Sequence, residues 1–579
     1  MPNMIQNAKD SISQILNAAY QKAAEKGELP AGAALSGTVE IPKDSANGDF
    51  AANHAMAGAK ALHMAPRKIA ETLIANADMA DTWFASVEVA GPGFINFRLA
   101  DRWYADVLNA VTREGADYGR SDIGHGQKVM VEFVSANPTG PMHMGNARGG
   151  VLGDALASVL DRAGYQVWRE FYVNDAGNQI EKFANSIDAR YQQLLLGEEQ
   201  VAFPEDGYHG DDIKDLAKLF YEANGDKYLT VPVAERHQAM AEFGLQRNIP
   251  KMQEDLRRYG IEYDQWFFES ELHESGYVAE SVQKLTDRGY TYEKDGALWL
   301  KTSQILAEQL LKAGKKQEEI DKLELKDDVL RRANGFYTYF AADIAYHRNK
   351  LEKRGFDKAI NVWGADHHGH VARLKGAMDA LGLDGEHRLD IVLMQLVKLT
   401  RNGEVVRMSK RTGKAISLTD LLDEIPVDAA RYFFNSRPES PVEFDLELAI
   451  RQDSENPVYY VQYAHARICT LLSALAAEGH SVPASADAAL LSTAEEKELI
   501  KQLAALPEEI RLAARDYDPS RINRYVTELA ARFHRFYTVC RIKGAESDVQ
   551  AARLLLADCV RRVIAVSLGI IGVTAPEKM

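Results

Sequence analysis

KVMVEFVSANPTGPMHMGNARGGVLGDALASVLDRAG, residues 128–164, decides the fold. KVMVEFV (128–134) is a continuous apolar run of β type. ANPTGPMHMGN (136–146) is a loop punctuated by Gly and Pro. ARGGVLGDALASVLDRAG (147–164) has helical periodicity, and YQVWREFYVND (165–175) reads as the next strand. Strand, loop, helix and strand make a βαβ unit, which requires a parallel sheet. Ligands of open parallel sheets sit at the carboxyl ends of the strands. The loop stands at such an end and opens a helix, whose free N–H groups and partial positive charge suit phosphate. His143 and Asn146 lie three apart and face the same side of the helix start. Gly145 between them lacks a Cβ, which would let a flat purine lie against the backbone. A histidine here can donate to a phosphoryl oxygen as charge builds in the transition state.

Outward from this unit the chain divides into four regions. Residues 1–115 alternate helical patterns with short strands, SVEVA (86–90) and FINFRL (94–99), around a Gly91-Pro92-Gly93 turn. This predicts a small α+β domain. Residues 116–385 predict the parallel-sheet domain, with a polar, helical insertion at about 180–300. The sheet resumes at AINVWGAD (359–366) and DIVLMQLVKL (390–399). Residues 386–450 finish it and lead, through a connecting stem, to 451–579, where only helical periodicity remains. The fold class is therefore multidomain α/β, with a Rossmann-type parallel sheet, a small N-terminal domain and a C-terminal all-α bundle.

The bulk numbers fit a globular chain. It has 579 residues, 46% hydrophobic and 26% charged. No window approaches a membrane span, and the opening MPNMIQNAKDSISQ reads as an amphipathic helix without a signal pattern. Cys469, Cys540 and Cys559 form no CxxC and sit in helical patterns, so buried reduced thiols and a cytoplasmic setting are expected, and a cysteine zinc site is excluded. Net charge is −16, but 451–579 holds 16 basic and 16 acidic residues, so the first 450 residues carry all of it. Residues 511–570 hold 11 basic and 6 acidic residues. A polyanion could land there.

A second loop lies far downstream, GEVVRMSKRTGKAISLTDLL (403–422). Lys410 and Lys414, with Arg407 and Arg411, precede a helix whose N-cap is Ser417 or Thr419. Flexible cations there can clamp a leaving pyrophosphate.

With both loops in view, the chain resembles class I aminoacyl-tRNA synthetases, and within them the bacterial-type arginyl-tRNA synthetases. HMGN (143–146) matches the His-Ile-Gly-His signature, and RMSKR (407–411) the Lys-Met-Ser-Lys-Ser signature. VEFVSANPTGPMH (131–143), YVNDAGNQI (172–180), YTYFAADIAYH (337–347), WGADHHGH (363–370), NPVYYVQYAHARI (456–468) and APEKM (575–579) agree in order. Asn146 replaces the second signature histidine, and Arg407 the first lysine.

The resemblance implies activation of L-arginine with ATP and Mg2+, without a tightly bound metal, and transfer to tRNA(Arg). It implies a phosphate-handling loop of Ala136, Asn137, Pro138, Thr139, Gly140, Pro141, Met142, His143, Met144, Gly145 and Asn146. His143, Asn146, Ser409 and Lys410 would be catalytic. Thr139, Gly140, His143, Gly145, Asn146, Asp366, Arg407, Met408 and Lys410 would hold ATP. Glu132, Asp343 and Tyr339 would hold the guanidinium, which needs a planar acceptor. Asn137 would hold the α-amino end, Ser135 would line the pocket, and His367, or its neighbour Asp366, would complete it. Asp366, His367, His368 and His370 are metal-capable types, but the family has no metal there. In the C-terminal bundle, Arg521, Arg524, Arg532 and Arg535 line one face of RINRYVTELAARFHRFY (521–537) and are candidates for RNA contact. Tyr459, Tyr460 and Tyr463 are expected in the core. A cytoplasmic monomer that does not engage membranes is expected.

Overall fold

The structure, a computed structural model, describes residues 3–365, 368–395, 397–406, 416–436 and 442–579, without the side chains of His368 and Val442. Five strands form the central sheet: β1 (Lys128–Glu132), β2 (Gln166–Val173), β3 (Gln265–Phe268), β4 (Lys358–Gly364) and β5 (Leu389–Met394). Their order is β3-β2-β1-β4-β5, and every neighbouring pair is parallel. The order reverses between β1 and β4, so the crevice at their carboxyl ends is the place for a ligand.

Alternation along the strands gives the sheet two apolar faces. Val129, Val131, Phe171, Val173, Ile360 and Val362 pack toward helix α1 (Met144–Arg162) in one core. Tyr172, Phe267, Ala359 and Leu389 pack toward α2 (Tyr339–Arg348) and α3 (His368–Ala380) in another. Helix α1 comes close because it is glycine-rich: a Cβ on Gly153 would lie 2.1 Å from the ring of Phe133.

The expected insertion at 180–300 is corrected to two pieces. Helices Asn178–Leu196, Asp211–Asn224 and Val233–Arg258 build a separate core around Phe183, Tyr191 and Phe220. The chain then returns to the sheet as β3, whose four residues are too few to show periodicity. A second excursion carries a three-stranded antiparallel sheet (Thr291–Lys294, Ala297–Leu300, Asp328–Arg331) and so runs past residue 300. The run 390–399 also divides. Val397–Arg401 leaves the parallel sheet and pairs with Val442–Asp445 and, across an Asn402-Gly403 turn, with Glu404–Val405. Both turn residues have positive φ, as a tight hairpin requires.

The N-terminal domain is a four-stranded sheet (Val39–Glu40, Phe50–Ala52, Phe94–Leu99, Phe84–Ala90, in that order) covered by helices. The C-terminal region is a bundle of α4 (Pro457–Ala477), α5 (Ala494–Asp516), α6 (Ser520–Val539) and α7 (Ser547–Ile570). Among the described residues no helix is long and apolar enough to cross a membrane.

Candidate active site

The chain leaves β1 through a strained turn. Val134 and Ser135 have φ of 71° and 42°. A β-branched residue with positive φ is an outlier that the surroundings must hold in place. The turn starts the loop at the carboxyl end of the central strand. Within the loop Thr139 and Met142 are buried, while Asn137 and His143 are exposed. His143 is the N-cap residue of α1. Its backbone N–H donates to Asn146 Oδ1 at 3.0 Å. Asn146 thus performs a capping job at the third helical position. Gly145 is open: an added Cβ would meet only the His143 ring, 3.8 Å away. A flat group can approach the backbone there.

The second loop meets the first at this point. Ser417 pairs with His143 in an isolated antiparallel bridge, and Leu418 N–H donates to Met142 O at 2.8 Å. Ser417 is the N-cap of helix Leu418–Glu424, in a capping box with Asp420. On the other side, Arg148 of α1 is wholly buried and donates to Gln395 O at the end of β5 at 2.6 Å. Arg407, Met408, Ser409, Lys410, Arg411 and Lys414 lie outside the described residues, as do Asp366 and His367.

Beside the loop is a pocket rich in carboxylates. Glu132, at the end of β1, is 5% exposed. Its carboxylate accepts from Ser135 Oγ at 2.8 Å and from Lys350 Nζ. Ser135 also accepts from Tyr172 N–H at 3.2 Å, so its hydroxyl supports the pocket wall. Asp343, on α2, is more open and accepts from His370 Nε2 at 3.0 Å. Tyr339 starts the same helix, is 40% exposed and lies over Gly177. The Tyr172 hydroxyl reports what surrounds it: burial, then the charges of Glu269, Asp343 and Glu132, push its pKa far above the ordinary value. A cavity of about 590 Å³ opens beside Tyr339, with Glu269 and His273 in its lining. His370 has both ring nitrogens engaged, the second by Arg373 at 3.2 Å.

The structure thus gathers Glu132, Ser135, Asp343 and Tyr339 with the loop 136–146. It adds Lys350, Asn361, His347 and Glu269, which sequence reasoning missed. Lys350 carried no signal, because it follows the matched segment 337–347 in a charged stretch. Glu269 was hidden in the expected insertion.

The C-terminal face differs from expectation. Arg521 bridges to Glu509 and Asp516, Arg524 to Asp518, and Arg532 to Glu498 and Glu528. Arg535 is 77% exposed in its side chain and 3.9 Å from Glu495. The basic face is largely neutralised by acids, some one helical turn away, as Glu528 is from Arg532, and some, Glu498 and Glu509, from the neighbouring helix. Of the tyrosines expected in the core, Tyr460 packs against it half-buried, whereas Tyr459 and Tyr463 are corrected to rungs of a surface ladder. Tyr463 is 41% exposed. It lies parallel to Tyr459, with centroids 6.1 Å apart, and to His534 at the same separation. Arg467 lies over Tyr537 at 4.2 Å.

A parallel sheet whose β1 loop is bridged at His143–Ser417 to the start of a later helix, followed by a helical bundle, fits a class I aminoacyl-tRNA synthetase. Residues 107–442 match the family model for the class I (R) tRNA synthetase catalytic domain. Residues 6–99 match the arginyl tRNA synthetase N-terminal domain, and 461–579 the DALR anticodon binding domain. The arginine–tRNA ligase of Caldanaerobacter subterraneus subsp. tengcongensis is 54% identical, and that of Acetivibrio thermocellus 52% identical, each over all of both chains. The Thermus thermophilus arginyl-tRNA synthetase structure superposes with a TM-score of 0.72, covering 97% of this chain and 99% of that one at 21% identity. The chain belongs to the arginyl-tRNA synthetase family.

Proposed function

We infer that this chain ligates arginine to tRNA(Arg) through an arginyl-adenylate. The observation that carries this is the seating of a buried and a half-open carboxylate, Glu132 and Asp343, beside the two loops joined at His143 and Ser417. Asp343 and Glu132 accept the guanidinium, with Tyr339 closing over it and Asn137 meeting the α-amino group. Ser135 steadies Glu132 rather than touching the amino acid. Lysine or ornithine would leave a buried carboxylate badly paired, which is the source of discrimination.

ATP lies along the start of α1, with the base against Gly145 and the phosphates toward the helix N-terminus. Thr139, Gly140, Asn146, Asp366, Arg407, Met408 and Lys410 complete its site. Mg2+ arrives with ATP and neutralises phosphate charge. The arginine carboxylate oxygen attacks the α-phosphorus. The bond to the bridging oxygen breaks, and pyrophosphate leaves. His143 and Lys410, aided by Ser409 and Asn146, hold the charge that develops. The 2′-hydroxyl of the terminal adenosine then attacks the arginyl carbonyl, and AMP departs.

The Tyr459–Tyr463–His534 ladder offers faces on which unpaired anticodon bases stack, and Arg521, Arg524, Arg532 and Arg535 supply charge around it. The enzyme acts as a cytoplasmic monomer. The test is aminoacylation of total tRNA with each labelled amino acid, alongside ATP–pyrophosphate exchange with and without tRNA. Arginine alone should be charged, and exchange should require tRNA. Charging of another amino acid in its place refutes the reading.

A further inference from the structure

We propose that Lys350 is a positioning residue for arginine recognition, holding the Glu132 carboxylate in the one orientation that receives a guanidinium. The proposal rests on the reading of Glu132 and Asp343 as the guanidinium site.

Lys350 is wholly buried. Its ammonium donates to Glu132 and to Asn361 Oδ1, the latter at 3.0 Å, and lies 4.1 Å from the centroid of the Tyr346 ring. All its donors therefore point at a carboxylate, an amide oxygen or an aromatic face. It reaches this place through a π-helical turn, Asn349–Lys353, that follows α2 directly. Such turns are uncommon and favour functional sites, because the extra residue re-aims a side chain.

Asn361, on β4, is also wholly buried and is itself fixed. Its Nδ2 donates to His347 Nε2 at 2.6 Å, and His347 Nδ1 donates to the Asp343 carbonyl at 2.8 Å. Burial, reinforced by the nearby Lys350 charge, keeps His347 neutral, so one nitrogen accepts while the other donates. The amide cannot turn over without losing both bonds. An unbroken chain of hydrogen bonds thus runs from the backbone of Asp343 through His347, Asn361 and Lys350 to Glu132.

Apolar side chains of the same volume could fill this space and often stabilise a fold better than a buried ion pair. The pair does something they cannot. It sets a cation against a carboxylate at the floor of the pocket, and fixes its plane. Lys350 binds Oε2 and Ser135 binds Oε1. Each oxygen retains a lone pair for the pocket. Fork-like recognition of a guanidinium depends on that plane.

The test compares the full chain with K350M, E132Q and the double variant. Kinetics are measured by aminoacylation at varied arginine, ATP and tRNA. K350M should raise the arginine KM by about 30-fold or more, with the KM for ATP and for tRNA within about twofold of the parent. In the E132Q background, K350M should add less than about twofold. Additive costs, or a folded K350M with unchanged arginine KM, overturn the proposal while leaving the site reading intact. An E132Q variant with parental arginine KM overturns both. Should K350M fail to fold, Asn361→Leu keeps the ion pair but unhooks it. It should raise the arginine KM about fivefold and add nothing in E132Q, whereas additivity again overturns the proposal.

Discussion

The floor of the proposed amino-acid pocket and the outer face of the C-terminal bundle both carry dense charge, arranged in opposite ways. In the pocket, Glu132, Lys350, Asn361 and His347 come from three separate segments and are all at most 5% exposed. In the bundle, Arg524 and Asp518 or Arg532 and Glu528 meet near each other in sequence, at the surface. Buried pairs are costly to break one member at a time, whereas exposed pairs contribute little. The difference suits the two ligands. An amino acid must be told from close analogues, which demands fixed acceptors. In the proposed function a large polyanion would be met over a broad face, where arginines could exchange one carboxylate for a phosphate.

The sharpest way to break this comparison is in the pocket. Asp343→Asn should raise the arginine KM by the loss of a charge partner, about 2–5 kcal/mol, roughly 30-fold to several thousandfold. The KM for tRNA should stay near the parental value. A loss of only a few-fold would put Asp343 in the same class as the bundle charges. Next comes the ladder. Tyr463→Ala should weaken tRNA by about 1–3 kcal/mol, the value of one stacked base, read as the tRNA KM. Arginine activation at saturating tRNA should be unchanged. An effect on the arginine KM instead would mean that the bundle and the pocket are not separable.

Sequence reading reached as far as local signals reach. The segment 128–164 showed its strand, loop and helix because each is several residues long and differently punctuated. Residue type narrowed the N-cap to Ser417 or Thr419, and the fold selects Ser417. Glu132 and Asp343 were singled out because they lie in segments that match a family. Lys350 was not, since its buried position comes from a π turn and its contact with Asn361 from a distant strand. β3 was missed because four residues inside polar helices carry no period. The arginines of α6 looked free because their partners, such as Glu498 and Glu509, sit on α5. For Lys350, and for Arg521 and Arg532 where they meet Glu509 and Glu498, what was lost is tertiary pairing, which no window of sequence contains.

The smaller effects sharpen the contrast at its edges. Asn146→Ala removes the reciprocal half of a cap, worth about 0.3–1.5 kcal/mol. Amide hydrogen exchange in the first turn of α1 should speed up by the corresponding factor, while exchange in α4–α7 stays as it was. A slow, unchanged first turn would show that the pairing of His143 with Ser417, and not the cap, holds that helix start.

Arg524→Ala should give the smallest change. Its partner Asp518 lies six residues away, at the mouth of the same helix, and the arginine side chain is 59% exposed. Such a pair is worth about 0–1 kcal/mol, so the denaturation midpoint should barely move. If Arg524 gives up Asp518 to meet a phosphate, tRNA affinity should fall only slightly at any one salt concentration. The slope of log affinity against log salt should then drop by about one unit, as for the loss of a single phosphate contact. An unchanged slope would mean that Arg524 stays with Asp518 when tRNA binds. The exposed charge of the bundle would then be held as firmly by its own partners as the buried charge of the pocket, and the distinction between the two regions would rest on the tyrosine ladder alone.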